Sequence, residues 1–551
     1  IEWVKSYQKS DFISDALAAI IVAVMLIPQS LAYSLLAGLP AQVGLYASII
    51  PLLAYAIFGT SKTLSVGPVA IASLMTAAVI QNISNHHTVN PIAVAVSLAF
   101  LSGTFLILMG IFRFGFIANL LSHPVISGFI TASGIIIALS QVKHILGISS
   151  QGDNIIDLFN SLSLSVGDTN LTTLSVGLFT LFFLFLSKRS PHKLLTKIMP
   201  VIIVIATTIM AYTFNLTDKG LALVGFIPAG IPNIQLPEFN TALWIDLLVP
   251  AMLISIIGYV ESVSIGKTLA SKRRQKIEPD QELIGLGAAN IASSVSGGFP
   301  VTGGFSRSVV NFDAGAVTQA ASVYTAIGIA IATLTLTDLL AFLPNATLAA
   351  TIIVAVLGLV DLSILRKAWK YSLSDFIAVF LTMSSTLLVG VEIGVMCGVI
   401  ASIALHIYKT SKPHIAEVGE ITGTEHFRNV KRHSVATHPS ILSLRVDESL
   451  YFVNASYLED EIFRNIESKK EVKHLILMCT AINEIDISAL DVLESINQRL
   501  KELDISFNLS EVKGPVMDIL EKSTFLNDLN GQVFMSQHIA VASILSQHTP
   551  H

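Results

Sequence analysis

Apolar runs dominate the first 410 positions of the chain and are separated by short polar loops. A run of about 17–25 apolar residues is long enough for a helix to cross a hydrocarbon core of about 30 Å. The pattern predicts fourteen spans, numbered here in chain order: 14–36, 42–58, 66–83, 91–112, 117–140, 171–187, 198–215, 244–270, 281–297, 305–314, 317–337, 339–360, 373–390 and 392–408. Spans 3 and 10 are the weakest, and span 10 is too short to cross a membrane alone.

The pattern changes near Lys412, where amphipathic stretches replace the long apolar runs. There we predict strands at 441–446, 450–454, 474–479 and 505–512, helices at 455–468 and 488–503, and a polar linker with one strand at 413–440. Strands that alternate with helices are typical of a sheet backed by helices. We therefore divide the chain into a membrane domain, 1–412, and a soluble α/β domain, 413–551.

Composition narrows the class of protein. The 551 residues are 52% hydrophobic and 13% charged, whereas soluble domains carry about 25% charged residues. The net charge of −5 does not indicate a nucleic-acid partner. Two cysteines are too few for a disulfide framework or a four-ligand zinc site. The sequence has no phosphate-binding loop and no nucleophile–base pair, so we expect a protein in contact with membrane lipid, neither an enzyme nor the holder of a cofactor.

The basic residues predict the orientation of the membrane domain. With fourteen spans both of its ends lie on one side, and the loops of that side carry Lys62, Arg113, Lys188, Arg189, Lys193, Lys197, Lys272, Arg273, Arg274, Lys276, Arg366, Lys367 and Lys370. The opposite loops hold only Lys143 and Lys219. Because cytoplasmic loops are rich in Lys and Arg, we expect the N-terminus and the soluble domain in the cytoplasm. The membrane is then the cell membrane, or the inner membrane of a bacterium.

A weak internal repeat divides the spans into two sets of seven. VGLYA (43–47) matches IGLGA (284–288) at an offset of 241, which also pairs Ser65 with Ser306. The repeats would cover about 14–215 and 244–408, and an odd number of spans gives them opposite topologies. Spans 3 and 10 correspond, and both open on stretches interrupted by glycine or proline. In inverted-repeat transporters, such a pair is the best sequence indicator of the central site.

The start of span 10 has the chemistry of an oxyanion site. Spans 3 and 10 each predict an extended stretch followed by a half-helix, whose N-terminus has unpaired N–H groups and about half a positive charge. Ser306 adds a hydroxyl and Arg307 a permanent charge with several donors. We therefore predict that an anion binds here. The alternative is that Arg307 is structural and permanently paired with Glu261 or Asp313.

Two further spans carry polar residues in apolar surroundings. Glu261 in span 8 could carry a proton, bind sodium or neutralise Arg307. In span 1, Pro28 is expected to break the helix, so that Gln29 and Tyr33 could face a cavity. The alternative for these two side chains is hydrogen bonding to a neighbouring helix.

These stretches resemble the SulP family of anion transporters, which includes sulfate permeases, and the soluble domain resembles a STAS domain. The resemblance is carried by IPQSLAYSLLAGLPAQVGLYASIIPLLAYAIFG (27–59), SVGPVAIASL (65–74), ESVSIGKTLA (261–270) and GGFPVTGGFSRSVVNFDAGAVT (297–318). It implies an α-helical membrane protein of fourteen transmembrane segments in two inverted repeats, sorted into a core and a gate domain. It further implies that the core moves as an elevator, and that the protein is a homodimer to which the STAS domains contribute.

The resemblance also implies site residues. The substrate is expected between the starts of spans 3 and 10, at the positions of Val66, Gly67, Ser306 and Arg307. The motifs are most similar to the sulfate branch, in which a glutamate at the place of Glu261 is linked to proton coupling. We therefore expect proton-coupled sulfate uptake.

Other functions stay open at this point. One is sodium-coupled bicarbonate symport, with Thr302 as a cation ligand, and another is exchange of chloride, oxalate or dicarboxylates. A different class is a channel, or a membrane anion sensor that signals through its STAS domain.

The soluble domain has one candidate regulatory residue. The turn at 486–489 resembles the STAS turn in which anti-anti-sigma factors carry a phosphorylatable serine. Ser488 is the corresponding hydroxyl, although a second hydroxyl and a glycine of the usual turn are missing. Ser488 is also a good helix N-cap, which is the role we expect for it.

Overall fold

The computed structural model describes residue 3 and residues 7–86, 89–119, 123–150, 152, 154–189, 193–232, 234–238 and 240–546. The chain divides into two compact units, Ile1–Ser402 and Ile403–His551. The division lies inside the helix Val391–Ser411, and the boundary that we predict at 412 follows the end of this helix.

Every predicted span contains a helix. Their bounds are Lys9–Leu36, Ala41–Tyr46 with Ile50–Phe58, Ala70–His86, Pro91–Ile111, His123–Leu146, Leu171–Arg189, Lys193–Thr213, Thr241–Lys272, Pro279–Val295, Phe305–Asp313, Ala320–Thr335, Asn345–Leu357, Leu373–Leu388 and Val391–Ser411. Shorter helices lie between them at Phe114–Asn119, Ile155–Ser165, Val166–Asp168, Leu216–Lys219, Thr337–Leu340 and Ser363–Tyr371. In the described part of the chain, six helices are long and apolar enough to cross a membrane by themselves. Large apolar side chains such as Phe182 and Ile331 remain exposed, as contact with lipid requires.

Span 1 differs from the prediction at Pro28. The helix runs from Lys9 to Leu36 without a break, so the predicted interruption is wrong. Proline removes one helical hydrogen bond, and a helix packed among others tolerates this loss because its neighbours hold it in place. Leu26 and Ser30, on either side of the proline, are fully buried.

Two buried carboxylates join the first half of the membrane unit to the second. Glu282 in span 9 accepts hydrogen bonds from Tyr55 Oη at 2.7 Å and from the backbone N–H groups of Thr60 at 2.7 Å and Ser61 at 3.0 Å. Asp15 in span 1 accepts from the backbone N–H and the hydroxyl of Thr318, at 3.1 and 2.6 Å. A buried charge is tolerated when hydrogen bonds satisfy it, so these two acids have structural roles.

Spans 3 and 10 begin with extended backbone, as predicted. Strand β1 (Val66–Gly67) pairs antiparallel with strand β2 (Thr302–Gly303), and Val66 lies opposite Gly303. The helices of the two spans start directly afterwards, at Ala70 and Phe305. The predicted pairing of Ser65 with Ser306 is wrong, because Ser65 precedes its strand whereas Ser306 follows β2 inside the helix.

The second unit contains a six-stranded sheet. Its strands are β3 (Ile415–Glu420), β4 (Phe427–Asn429), β5 (Ile441–Val446), β6 (His474–Met478), β7 (Ser506–Ser510) and β8 (Val533–Phe534), in the order β4-β3-β5-β6-β7-β8. Strands β5 to β8 are parallel, and β3 pairs antiparallel with both neighbours. The helices are Ala455–Ser468, Ile487–Glu502, Gly514–Leu520, Phe525–Asp528 and Gln537–Ser546.

One strand predicted for this unit is wrong. At 450–454 the chain makes a single bridge, between Leu450 and Ile485, and then turns into the helix that starts at Ala455. The backbone N–H groups of Asn454 and Ala455 both bond to the carbonyl of Tyr451. Of the apolar residues in this segment, Leu450 is buried in the core whereas Phe452 is exposed.

Candidate functional site

Arg307 lies at the crossing of spans 3 and 10. Its side chain is 2% exposed, and its Nη1 donates to the carbonyl of Pro68 at 2.7 Å. Its Nε and Nη2 have no hydrogen-bond partner among the described residues. Among the described residues, Glu261 forms no salt bridge with it. The guanidinium therefore holds the two segments together with one donor and leaves the others available.

Glycine makes this position of the guanidinium sterically accessible. A Cβ atom on Gly304 would lie 2.7 Å from Arg307 Nε, and one on Gly67 would lie 3.2 Å from Arg307 Nη1. The first distance is shorter than van der Waals contact allows. The glycines that interrupt spans 3 and 10 thus make room for the arginine as well as for the extended backbone.

Residues of span 8 contact strand β2 next to Arg307. The N–H of Gly303 donates to Ser262 Oγ at 2.8 Å, and the hydroxyl of Ser262 donates to the carbonyl of Gly258. Thr302 is buried against span 8, and its Oγ1 has no partner among the described residues. Glu261 and Thr302 line one narrow space together with Gly258.

Polar side chains of spans 1 and 10 line a larger cavity. Its volume is about 230 Å³, and Gln29, Tyr33 and Ser306 all contribute to its wall. In the described structure none of the three uses a side-chain polar atom in a hydrogen bond. Since Ser306 lies in the first turn of its helix, the backbone N–H groups of that turn have no intrahelical acceptor. The cavity thus contains uncommitted hydrogen-bond donors beside a helix N-terminus.

Glu261 lies apart from this cavity. It faces a space of about 30 Å³ with apolar neighbours that include Ile71, Phe129 and Val399. No hydrogen bond or salt bridge reaches its carboxylate from the described residues. Tyr33, Glu261 and Arg307 are nevertheless close enough to interact electrostatically. A change of charge at Glu261 therefore changes the electrostatic potential at Arg307.

The predicted site residues thus form three neighbouring groups. Gln29, Tyr33 and Ser306 line the larger cavity, whereas Glu261 and Thr302 line the narrow space next to span 8. Val66, Gly67 and Arg307 form the buried crossing between them and do not line the cavity.

Two polar residues that line the cavity were not predicted as site residues. Lys188, at the end of span 6, donates from Nζ to the carbonyl of Val354 at 2.6 Å, and Thr351 in span 12 also lines the wall. From the sequence, Lys188 is expected only to be one of the basic loop residues. Its place at the end of the apolar run LFFLFLS was a local signal, but the sequence does not show that span 6 packs beside span 12.

Ser488 does not cap its helix. The N-cap is Asp486, whose Oδ1 accepts from the N–H of Ala489 at 2.8 Å and whose Oδ2 accepts from the N–H of Phe452 at 2.8 Å. Ser488 is the second residue of the helix and is exposed. A carboxylate that reaches two N–H groups is a better acceptor here than a hydroxyl that reaches one. The predicted cap is therefore wrong.

Comparison with known families agrees with this architecture. Residues 12–382 match the Sulfate permease family, and residues 433–540 match the STAS domain. Sulfate transporter 4.1, chloroplastic, of Arabidopsis thaliana is 35% identical over 92% of this chain and 76% of its own length. High affinity sulfate transporter 2 of Stylosanthes hamata is 31% identical over 98% of this chain and 85% of its own length.

Solved structures share the fold. The murine Solute Carrier 26 family member A9 anion transporter in the inward-facing state matches with a TM-score of 0.91 and 25% identity, over 99% of this chain and 93% of that one. The transmembrane domain of the cyanobacterium bicarbonate transporter BicA matches with a TM-score of 0.63 and 24% identity, over 72% of this chain and 98% of that one.

Proposed function

The chain belongs to the sulfate permease family and is a multi-pass anion transporter; from this premise we propose that it takes up sulfate together with protons. The anion binds in the cavity beside the start of span 10, where Gln29, Tyr33 and Ser306 hold it and the charge of the nearby Arg307 attracts it. Glu261 is the proton carrier. The protein needs no resident cofactor for this function.

The observation that carries this proposal is which charged side chains of the membrane unit have hydrogen-bond partners and which do not. Asp15 and Glu282 have their carboxylate oxygens occupied by hydrogen-bond donors. Glu261 has no such partner in the described structure, and Arg307 keeps two nitrogens without one. Unpaired charges inside a membrane protein are costly and usually functional. Within the described part of the chain, the Glu261 carboxyl group and two nitrogens of the Arg307 guanidinium lack these partners, and the two side chains are close enough to interact. This supports binding of an anion that is coupled to movement of a cation.

Sulfate is the substrate that the relatives favour. The two plant relatives named above are sulfate transporters by name and align over most of this chain. Sulfate is a divalent oxyanion, which suits a guanidinium and hydroxyl donors. Accumulation of a dianion against a negative membrane potential is favoured by co-transport of positive charge, and a protonatable carboxylate in span 8 can carry one proton in each transport cycle.

The remaining parts of the proposal rest on the family resemblance and on the distribution of basic residues. In our proposal the half-helices of spans 3 and 10 move as part of a rigid core against the gate domain and carry the anion across. Two chains form a homodimer to which the STAS domains contribute. The N-terminus and the STAS domain are cytoplasmic, as the basic loops indicate.

Sodium-coupled bicarbonate transport is the second candidate. Thr302 Oγ1 has no partner among the described residues and lines the same space as Glu261. A carboxylate beside a free hydroxyl oxygen offers ligands to a hard cation. In this case Glu261 binds sodium and does not release a proton.

Uptake into proteoliposomes distinguishes these functions. We would measure radiolabelled sulfate uptake with an inward proton gradient and then with an inward sodium gradient. Concentrative uptake driven by protons alone is expected. A strict need for sodium, or transport of bicarbonate without sulfate, would move the chain to the second candidate.

The same preparation tests the other classes. Sulfate uptake that requires internal chloride, oxalate or a dicarboxylate identifies an exchanger. Passive flux that no ion gradient can drive uphill identifies a channel. Sulfate binding without any flux identifies a sensor.

A further inference from the structure

The second unit has a basic concavity beside the antiparallel strands β4 and β3 and the end of β5. Its volume is about 270 Å³, and it is lined by His414, Arg428, Asn429, Arg432, His433, Arg445 and Asp447. These residues come from the start of β3, from β4 and the turn after it, and from the end of β5. Three guanidinium groups and one carboxylate leave a net positive charge even when both histidines are neutral.

The backbone of the concavity is well defined. Asn429 ends β4, and its carbonyl accepts from the N–H groups of Arg432 at 3.0 Å and His433 at 3.1 Å. Its side-chain Oδ1 accepts from the N–H of Lys431 at 2.8 Å. On the opposite side, the N–H of Asp447 donates to the carbonyl of His414 at 3.1 Å. The basic side chains therefore project from a fixed turn and a paired strand end.

Among the residues that the structure describes, two of the arginines have no acidic partner. Arg428 donates only to the carbonyl of Phe427, at 3.0 Å, and Arg432 makes no side-chain hydrogen bond or salt bridge with any described residue. Elsewhere in this unit Arg464 pairs with Glu461, and Arg499 pairs with Glu459. The two arginines of the unit without an acidic partner therefore lie together, facing the same space.

The single carboxylate of the concavity is already occupied. Arg445 donates from Nε to Asp447 Oδ1 at 2.6 Å and from Nη2 to Oδ2 at 3.0 Å, and His414 Nδ1 lies 2.7 Å from Oδ2. Partial burial opposes ionisation of Asp447, but the hydrogen bonds from Arg445 and His414 outweigh it and lower its pKa. Asp447 thus remains an anion that orients Arg445 and leaves Arg428 and Arg432 without a counter-charge.

We propose that this concavity is a second anion site, which binds a multivalent phosphate. The planar guanidinium groups of Arg428 and Arg432 suit the oxygens of phosphate groups, and the space is large enough for more than one such group. A phosphoryl group of this kind occurs in free pyrophosphate or a phosphate ester and in the head group of an anionic phospholipid.

Calorimetric titration of the full-length chain with pyrophosphate tests the site. The protein is purified into nanodiscs of phosphatidylcholine, and Arg428→Gln/Arg432→Gln is compared with the unmodified chain. The matched control is Lys470→Gln/Lys501→Gln, which removes two charges from exposed positions of the same unit. We expect the arginine variant to bind pyrophosphate at least about tenfold more weakly, because it loses two charge-assisted contacts. The control should bind as the unmodified chain does.

A second measurement distinguishes the two sources of the phosphate. Phospholipids that co-purify from a membrane containing phosphatidylglycerol are quantified by mass spectrometry for the same three proteins. Fewer anionic lipids on the arginine variant alone, without pyrophosphate binding by any protein, assign the site to a lipid head group. If the arginine variant and the lysine variant agree in both measurements, the proposal is wrong. Size-exclusion profiles and sulfate uptake check that all three proteins are folded.

Discussion

The two arginine sites differ in what surrounds their free nitrogens. Arg307 is 2% exposed, and two of its nitrogens lack a partner in the described structure. Arg428 and Arg432 also lack acidic partners, but their side chains are exposed. An unsatisfied donor costs several kcal/mol when it is buried and little when water reaches it. At Arg307 the free-energy cost of burying unsatisfied donors is evidence for a ligand. At Arg428 and Arg432 the evidence is only that two positive charges lie close together.

Replacement of Arg307 should have the largest effect. We expect Arg307→Ala to weaken the apparent affinity for sulfate by about 10- to 100-fold, because one charge-assisted contact contributes about 1.5–3 kcal/mol. Concentration-dependent uptake into proteoliposomes measures this. The matched control is Arg428→Ala, which also removes one guanidinium and should leave the uptake KM unchanged. Equal effects of the two substitutions would remove the distinction between the sites.

Glu261→Gln should abolish proton-driven accumulation while sulfate still equilibrates. The amide keeps the size of the side chain but carries no exchangeable proton charge. The measurement is sulfate uptake with and without an inward proton gradient. Glu282→Gln is an instructive contrast, since Glu282 is already satisfied by hydrogen bonds; it should lower stability and leave coupling intact. A Glu261→Gln protein that still concentrates sulfate would exclude Glu261 as the proton carrier.

Gly304→Ala tests whether the crossing has space to spare. The added Cβ would lie 2.7 Å from Arg307 Nε, so we expect a loss of about 1–3 kcal/mol in stability from overpacking, together with weaker sulfate binding. The control is Gly167→Ala, where an added Cβ meets nothing within 4 Å. Thermal unfolding in detergent compares the two variants. Identical unfolding temperatures would show that the structure around Gly304 and Arg307 can accommodate the added methyl group, contrary to this expectation.

The smallest effect is expected in the second unit, at the turn before Ile487. Asp486→Ala should destabilise this unit by about 0.5–2 kcal/mol because it removes the helix cap. Ser488→Ala should change its stability by less than about 0.5 kcal/mol, since Ser488 is exposed and does not cap the helix. Chemical denaturation followed by circular dichroism measures both. A larger loss for Ser488→Ala than for Asp486→Ala would restore the cap that the sequence predicted.

Predictions from the sequence were correct where the signal lies within a few neighbouring residues. The apolar runs placed every span, and the interruptions at Gly67 and Gly303 predicted the extended backbone of spans 3 and 10. Predictions were wrong where the local structure depends on a contact with a residue that is distant in the sequence. Asp486 is the cap in preference to Ser488 because the N–H of Phe452, 34 positions away, also bonds to it. Pro28 does not break its helix, because neighbouring helices hold the helix in place.

The sequence alone determined the class of this protein, its spans and the identity of its charged membrane residues, since hydrophobic periodicity and glycine or proline interruptions act within a few residues. Only the tertiary structure decided which charges are satisfied. Glu282 meets Thr60 across 222 positions, Asp15 meets Thr318 across 303, and Arg307 meets Pro68 across 239. Glu261 receives no such contact from the described residues. Hydrogen bonds depend on distances in space, and between residues far apart in the sequence these distances are decided by how the helices pack.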